Sequence, residues 1–477
     1  MIAISTASAQ TKPFSGSPVT EPAGETTAML PGQIPGTPQA QGALLSAVPV
    51  GKAAPETLQL SLPDALDRGL RQNLALLLGG QGTRAARAER LRYLSDLLPN
   101  LKGDVSETAQ QVNLAAFGFS PGSFPNTRSI VGPFALFDAR LFYSQVLVDW
   151  KAVQNTRAAG EAVKAAEYSY QDAREMVVLV VTNFYLQIVA DKSRADAARA
   201  QLAGADAVYR QAIDLDKAGV AAGIDVLRAQ VEMQVQQQRL LAVENDLEKQ
   251  KLALARAIGL PLGQSFVATD TVPYHQAPAV KLEAVLEESF RNRADYQQLQ
   301  ALVRAAELAK KAAQAERLPT VRLNGDYGDI GPKPGNSHGT FTASASLMVP
   351  IFQGGRARAD ILQADSLLQQ RNAQLGALRS DIESDLRTAL LDLNTASQRV
   401  QVAESTVNLA NEQLKQARHR LMAGVANTLE VVQAQEAVAN ATDTYITSVY
   451  AHNVAKATLA RAAGIAEQTI KQFFGGK

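Results

Sequence analysis

The chain contains no cysteine in its 477 residues. That excludes disulfides, thiolate chemistry and a lipidated N-terminal Cys, and it fits an extracytoplasmic bacterial protein. Net charge is nearly absent too, with 47 Lys and Arg against 46 Asp and Glu. Without a basic excess to neutralise phosphates, nucleic acid is not expected as a partner. The four histidines, His275, His338, His419 and His452, are scattered without metal-ligand spacing. No Gly-rich phosphate loop precedes a helix. We therefore expect no enzyme, no metal and no cofactor. Long apolar runs are missing as well. The longest obvious one, 176–181, falls far short of the roughly 20 residues of a membrane-crossing helix.

What is present begins with MIAISTASAQ, residues 1–10. Its A-x-A ending reads as the remnant of a secretory signal, or as chance in a small-residue stretch. Residues 11–55 are rich in Pro, Gly, Ala, Ser and Thr. They read as a disordered or surface-draped arm, or as a plain linker.

The rest of the chain is written twice. KAGVAAGIDVLRAQ, from Lys217, returns as MAGVANTLEVVQAQ, from Met422. Over 218–230 the later copy lies 205 positions downstream, and seven of the thirteen positions are identical. The same offset relates Leu254-Ala255-Arg256-Ala257 to Leu459-Ala460-Arg461-Ala462. Upstream the offset is 220: Leu66-Asp67 matches Leu286-Glu287, and Leu98-Pro99 matches Leu318-Pro319. Two units follow, 56–260 and 285–465, joined by a linker at 261–284 and followed by a tail at 466–477. The 15-residue change of offset puts extra length in the first copy, in a turn over 118–133.

Each unit has the same parts in order. A helix over ~64–98 or ~282–318 is rich in helix formers and ends at Leu-Pro, with Pro99 or Pro319. A pair of alternating apolar and polar strands follows, over about 100–145 and about 320–350; in the first copy 135–144 alternates less cleanly, which suits a bulge. A helical stretch of about 75 residues then runs to the repeated Ala-Gly-Val. A return helix covers ~224–259 or ~429–463. At ~1.5 Å per residue the long helix spans roughly 110 Å. The return helix covers half of it and the helix before the strands covers the other half.

Four amphipathic strands cannot close a barrel alone, and an open greasy edge is unstable in water and forbidden in lipid. Strands of this length and alternation suit an outer-membrane barrel built from several chains. The alternative is a soluble β-domain with one buried face.

These parts resemble the TolC-like outer-membrane efflux protein family. The resemblance rests on the tandem architecture, on Pro350-Ile351-Phe352-Gln353-Gly354-Gly355-Arg356 at a strand-to-helix junction, and on Leu421 to Ala434 at a helical-tip turn. Copy one reads Gln145-Val146-Leu147-Val148-Asp149-Trp150 at that junction and lacks the Pro and Gly-Gly. The resemblance implies a mostly α fold with a membrane β-barrel part: a homotrimer with a twelve-stranded barrel on a twelve-helix coiled-coil tube. It implies a passive exit duct of a tripartite efflux or type I secretion system. The duct would sit in outer-membrane lipid with its helices in the periplasm, working with a periplasmic adaptor and an inner-membrane pump. The rival readings are a soluble periplasmic adaptor or a coiled-coil scaffold.

The site residues follow from the same match. Gly219, Val220, Gly424 and Val425 form the tip turns that meet the adaptor. Asp225 and Glu430, with Arg228 and Gln433 one turn on, are candidates for a periplasmic gate and selectivity ring. As first-turn carboxylates they also simply offset a helix dipole, and Thr428 is a candidate cap for the second helix. Some relatives carry a basic residue near this turn where Ala426 stands here. Pro99, Pro319, Pro350, Gly354 and Gly355 mark the strand–helix junctions. Phe117, Phe119, Phe124, Phe134, Phe137, Phe142, Tyr143, Tyr327 and Phe341 form a membrane-interface girdle or a core, and Trp150 marks the periplasmic boundary.

Overall fold

The structure is a computed structural model that describes residues 42–117, 129–220, 222–270, 274–275 and 281–474. Phe119 and Phe124 lie outside the described residues, as do residues 1–41. The element order repeats. The first unit runs β1 (Leu58–Leu60), α1 (Leu62–Gln72), α2 (Leu74–Ser95), β2 (Asn100–Asn113), β3 (Ile130–Val148), α3 (Trp150–Lys217) and α4 (Gly223–Ile258). After β4 (Phe266–Ala268) the second unit runs α5 (Leu282–Asn292), α6 (Ala294–Ala315), β5 (Thr320–Gly331), β6 (His338–Met348), α7 (Arg356–Met422) and α8 (Thr428–Ala462). A last helix, α9 (Ala466–Phe474), closes the described chain.

The helix before each strand pair is broken, contrary to the single helix expected from sequence. The breaks fall at Asn73 and Arg293, 220 positions apart. Both residues leave the helical region, with φ −63° and ψ 134° at Asn73 and φ −63° and ψ 118° at Arg293. Asn73 is fully buried. Its Oδ1 accepts from the Ala75 N–H at 3.0 Å, and its Nδ2 donates to the Leu44 and Ala257 carbonyls. Arg293 is held instead by carboxylates, described below. The long helices are also shorter than expected, at 68 and 67 residues, or roughly 100 Å. The strands take up the difference in the first copy: β3 runs on to Val148 and begins at Ile130, inside the stretch expected as a turn.

The long helices pack as coiled coils. On α7 the buried residues Ile382, Ala389, Ala396, Ala403, Ala410 and Ala417 recur every seventh position, flanked by buried Leu386, Leu393 and Val400. On α3, Ala198, Ala205 and Ala212 keep the same spacing. A strict seven-residue repeat imposes a left-handed supercoil, and alanine lets the helix axes approach closely. Helix α3 lies against α2, α4 and α6, while α7 lies against α6 and α8.

The largest side chains gather halfway along, at an equator. Val177, Val178, Val181, Tyr185 and Ile188 of α3 pack there with Leu60, Leu62, Leu66, Leu254 and Ile258. This explains why α3 holds a stretch long and apolar enough to cross a membrane, which was not evident from the sequence: its apolar side chains are the equatorial core. The Tyr185 hydroxyl donates to Asp270 Oδ2 at 2.8 Å, and β1 pairs in parallel with β4. The segment before β1 is draped over this core. Its Val48 and Val50 N–H groups donate to the Gln72 and Gly259 carbonyls. Helix α9 buries Ala466 and Ile470 in the same place.

The four long strands form one antiparallel sheet in the order β2-β3-β5-β6. Its register shifts between Gln110 and Val112 and again between Val146 and Val148. Strands β2 and β6 are free edges.

Candidate functional site: the helical tips, the equator and the sheet

At the end far from the sheet, both tips turn in the same way. Gly219 and Gly424 each have φ 71°, the left-handed conformation that favours glycine. The Gly219 N–H donates to the Asp216 carbonyl and the Val220 N–H to the Leu215 carbonyl, both at 2.9 Å. Gly424 and Val425 repeat the pattern onto Leu421 and Arg420 at 3.0 Å. This Schellman arrangement caps the last carbonyls of each long helix. Val220 and Val425 are exposed.

The acids of the two tips are paired differently. Asp225 lies in the first turn of α4, and its Oδ1 is 3.3 Å from Arg228 Nη1 of the same helix. Glu430 lies in the first turn of α8, and its Oε1 is 3.0 Å from Arg420 Nε, on the long helix across the turn. Gln433 occupies the position that Arg228 holds in the first copy, and Leu215 the position of Arg420. Sequence reasoning missed Arg420 because its partner comes from across the turn. It also expected Thr428 as the cap. Asn427 is the cap, its Oδ1 accepting from the Glu430 N–H at 3.2 Å, while Thr428 is the first helical residue and is buried. A groove of about 260 Å³ runs between the two helical hairpins, some turns back from their tips, lined in part by Glu232, Gln236, Arg418 and Gln435. The side-chain oxygens of Gln236 and Gln435 are buried there and accept no hydrogen bond from the described residues.

At the equator Arg461 joins the two units by buried ion pairs, and Arg293 makes a second clamp within the later unit. Arg461 of α8 pairs with Asp172 and, at 3.2 Å, with Glu175, both on α3. Arg293 grips Asp295 at 2.6 Å and reaches Asp385 of α7 at 3.1 Å. Four carboxylates thus face two guanidiniums. Burial, reinforced by the neighbouring Asp172 charge, pushes the Glu175 carboxyl up to about 7 against the pull of Arg461. Burial also raises Asp172, whereas the Arg293 guanidinium holds Asp295 below the usual range against its own burial.

The register sorts the sheet into two faces. One carries Leu101, Val105, Phe137, Leu141, Tyr143, Leu323, Tyr327, Phe341 and Leu347, with Glu107 and Asp329 among them toward the β5–β6 turn; the other carries Lys102, Asp104, Asp138, Arg140, Asn324, Asp326 and Ser344. Arg140 bridges Asp138 and Asp326. Phe134 and Phe142 fall on this polar face, Phe142 with Arg140 stacked over its ring at 5.5 Å. Of the expected girdle, Phe137, Tyr143, Tyr327 and Phe341 therefore share the apolar face, Tyr327 opposite Phe341 in one row and Phe137 and Tyr143 in rows to either side. At the junctions, Gly354 and Gly355 both have positive φ, and Gly355 precedes α7. In the first copy Asp149 caps α3 by accepting from the Ala152 N–H at 2.9 Å, and half-exposed Trp150 opens the helix. Pro99 and Pro319 lie in the short links into β2 and β5, and Pro350 in the link out of β6.

The family model described as outer membrane efflux protein matches residues 66–260 and 285–465. The chain belongs to the outer membrane efflux protein family. Membership places it in the outer membrane and gives it the work of efflux. It is 24% identical over 424 residues to the pyoverdine export outer membrane protein OpmQ of Pseudomonas aeruginosa, covering 86% of each chain. It is 26% identical over 369 residues to the outer membrane protein OprJ of the same species, covering 74% of this chain and 69% of that one. Its fold is shared with the CmeC outer membrane channel of Campylobacter jejuni, at a TM-score of 0.73 and 17% identity over 90% of this chain and 94% of that one.

Proposed function

We propose that three copies of this chain close into a passive export duct. The observation that carries this reading is a four-stranded sheet with two free edges, one greasy face and one charged face, on top of helices roughly 100 Å long. Three such sheets give twelve strands, with the apolar face toward lipid and the Arg140 face toward the lumen. Exposed apolar residues on α4 (Ile224, Leu227, Val231, Val235) and on α7 (Leu391, Val402, Leu409) supply further surface for neighbouring copies. In this reading the repeats 56–260 and 285–465 each contribute two strands and one tip, with 261–284 as the equatorial linker.

The tips form the periplasmic entrance. Asp225 and Glu430 recur around the axis, and Arg228 and Arg420 set how much of their charge faces the passage. A periplasmic adaptor meets the turns at Gly219, Val220, Gly424 and Val425 and the groove between the hairpins behind them, and an inner-membrane pump supplies energy and selects cargo. Single-channel recording in a planar bilayer tests the duct. Purified protein should give stable conductance steps; protein that stays soluble without detergent and never inserts would refute it.

A further inference from the structure

Among the described residues, Ile351 and Phe352 are the large apolar side chains left most bare, at 96% and 89% exposed. They lie in the link from β6 to α7, a link fixed by the left-handed pair Gly354 and Gly355 and by the Arg356 N–H donating to the Gln353 carbonyl at 3.1 Å. At the opposite edge of the sheet, α2 passes into β2 with Leu91, Leu98 and Leu101 exposed. Apolar groups of this size left bare at both ends of one sheet indicate a surface that is covered in use.

The internal repeat shows what covers it. Inside the chain, the exit of β3 into α3 sits beside the entry of α6 into β5, because β3 pairs with β5. Lys151 and Glu316 clasp that seam at 3.2 Å. Applying the repeat offsets, Lys151 corresponds to Arg356 (151 + 205) and Glu316 to Asp96 (316 − 220). The two belong to opposite edges of the sheet and so cannot meet in one chain. Among the described residues the Arg356 guanidinium makes only long ion pairs, 3.8 Å to Glu316 and 3.9 Å to Asp360. Asp96, at the end of α2, is exposed and has no ion pair among the described residues.

We infer that the β6–α7 link of one copy docks on the α2–β2 junction of a second copy of this chain, with Arg356 clasping Asp96 and Ile351 and Phe352 covering Leu91 and Leu98. This rests on the closed-assembly reading above and adds which residues lock the seam. The internal Lys151–Glu316 seam is its template.

The absence of Cys makes the test clean. In full-length protein in detergent, Asp96→Cys with Arg356→Cys should give, with a short bis-maleimide that spans the length of an arginine side chain, a covalent ladder ending at three chains, and neither single variant should. Light scattering of the same sample separates the two ideas. Assembled protein without a ladder overturns the docking and leaves the assembly standing; protein that is monomeric sinks the assembly reading itself. Asp96→Arg should lower the temperature at which the assembly dissociates, with rescue by Arg356→Asp. Ile351→Ser with Phe352→Ser should lower it too. An unchanged temperature in that double variant, with Phe352→Cys carrying a fluorophore quenched by spin-labelled lipid, would assign the pair to the bilayer and overturn the docking.

Discussion

The two units share one backbone plan but secure it with different chemistry, most clearly at the helix breaks. Asn73 holds its break with neutral hydrogen bonds to Leu44, Ala75 and Ala257. Arg293 holds the same break with charge, gripping Asp295 and Asp385. The difference follows from what lies nearby. The first unit has the draped segment before β1 to supply carbonyls, whereas the second has carboxylates on α6 and α7. A shared geometry can therefore be kept while the side chains that enforce it are exchanged.

Removing each enforcer tests that comparison and carries the largest expected effect. Arg293 is 7% exposed, Asp295 21% and Asp385 55%, so Arg293→Ala leaves half-buried Asp295 without its guanidinium and should cost about 2–4 kcal/mol. Asn73→Ala loses a cap and leaves two carbonyls unpaired, a cost of about 1–3 kcal/mol. Loss of helical signal on heating in detergent measures both. Equal losses would mean the charged break is not the stiffer one.

Glycines give the next contrast. Gly464 has φ 73°, and a Cβ there would come within 2.7 Å of the Arg293 backbone nitrogen. Gly424 has φ 71° with nothing within 4 Å. Gly424→Ala should cost only the left-handed strain of about 1–2 kcal/mol, and Gly464→Ala clearly more, because backbone must move. Thermal midpoints of the two variants should differ in that order. Inversion of the order would place the strain at the tip instead.

These contrasts also show what was legible in the sequence. The repeat, the long helices and the tip turns could be read because their causes are local: spaced alanines, and glycine followed by an acid. The breaks could not, since neither Asn73 nor Arg293 disrupts a helix by itself; partners such as Leu44, Ala257 and Asp385, far off in sequence, hold them open. The sides of β3 were hidden because aromatics stand on both its faces, so only pairing with β2 and β5 assigns Phe142 to the polar one. Arg420 and Glu175 depend on a contact across a turn and on burial, and neither leaves a pattern along the chain.

Glu175 gives a contrast between the two equatorial clamps. Its folded pKa, about 7, lies above the ordinary 4.5, so the folded state binds the extra proton between those values. Stability should then be highest below about pH 4.5 on this account and fall as pH rises toward 7. Asp295 is lowered instead, so its contribution is lost only as pH drops below the ordinary 3.8. Glu175→Gln keeps an acceptor for Arg461 without the charge. It should raise stability at pH 8 by about 1–3 kcal/mol and flatten the profile between pH 5 and 8, as read by thermal midpoints. A profile unchanged from wild type would show that Glu175 does not titrate there.

The smallest effects on stability belong to the tips, and there the readout is conductance. Arg228 and Arg420 are about half exposed, so removing either should cost under about 1 kcal/mol. Their effect on ions should be unequal. Glu430 is 41% exposed and its cation comes from another helix, whereas Asp225 is 17% exposed and its cation lies on its own. Arg420→Ala should therefore raise the cation preference of single channels more than Arg228→Ala. The gain should shrink with salt, because exposed charges are screened within about 10 Å at 0.1 M. If both variants conduct like wild type, the acids serve only as helix-end charges, and the constriction lies elsewhere in the tube.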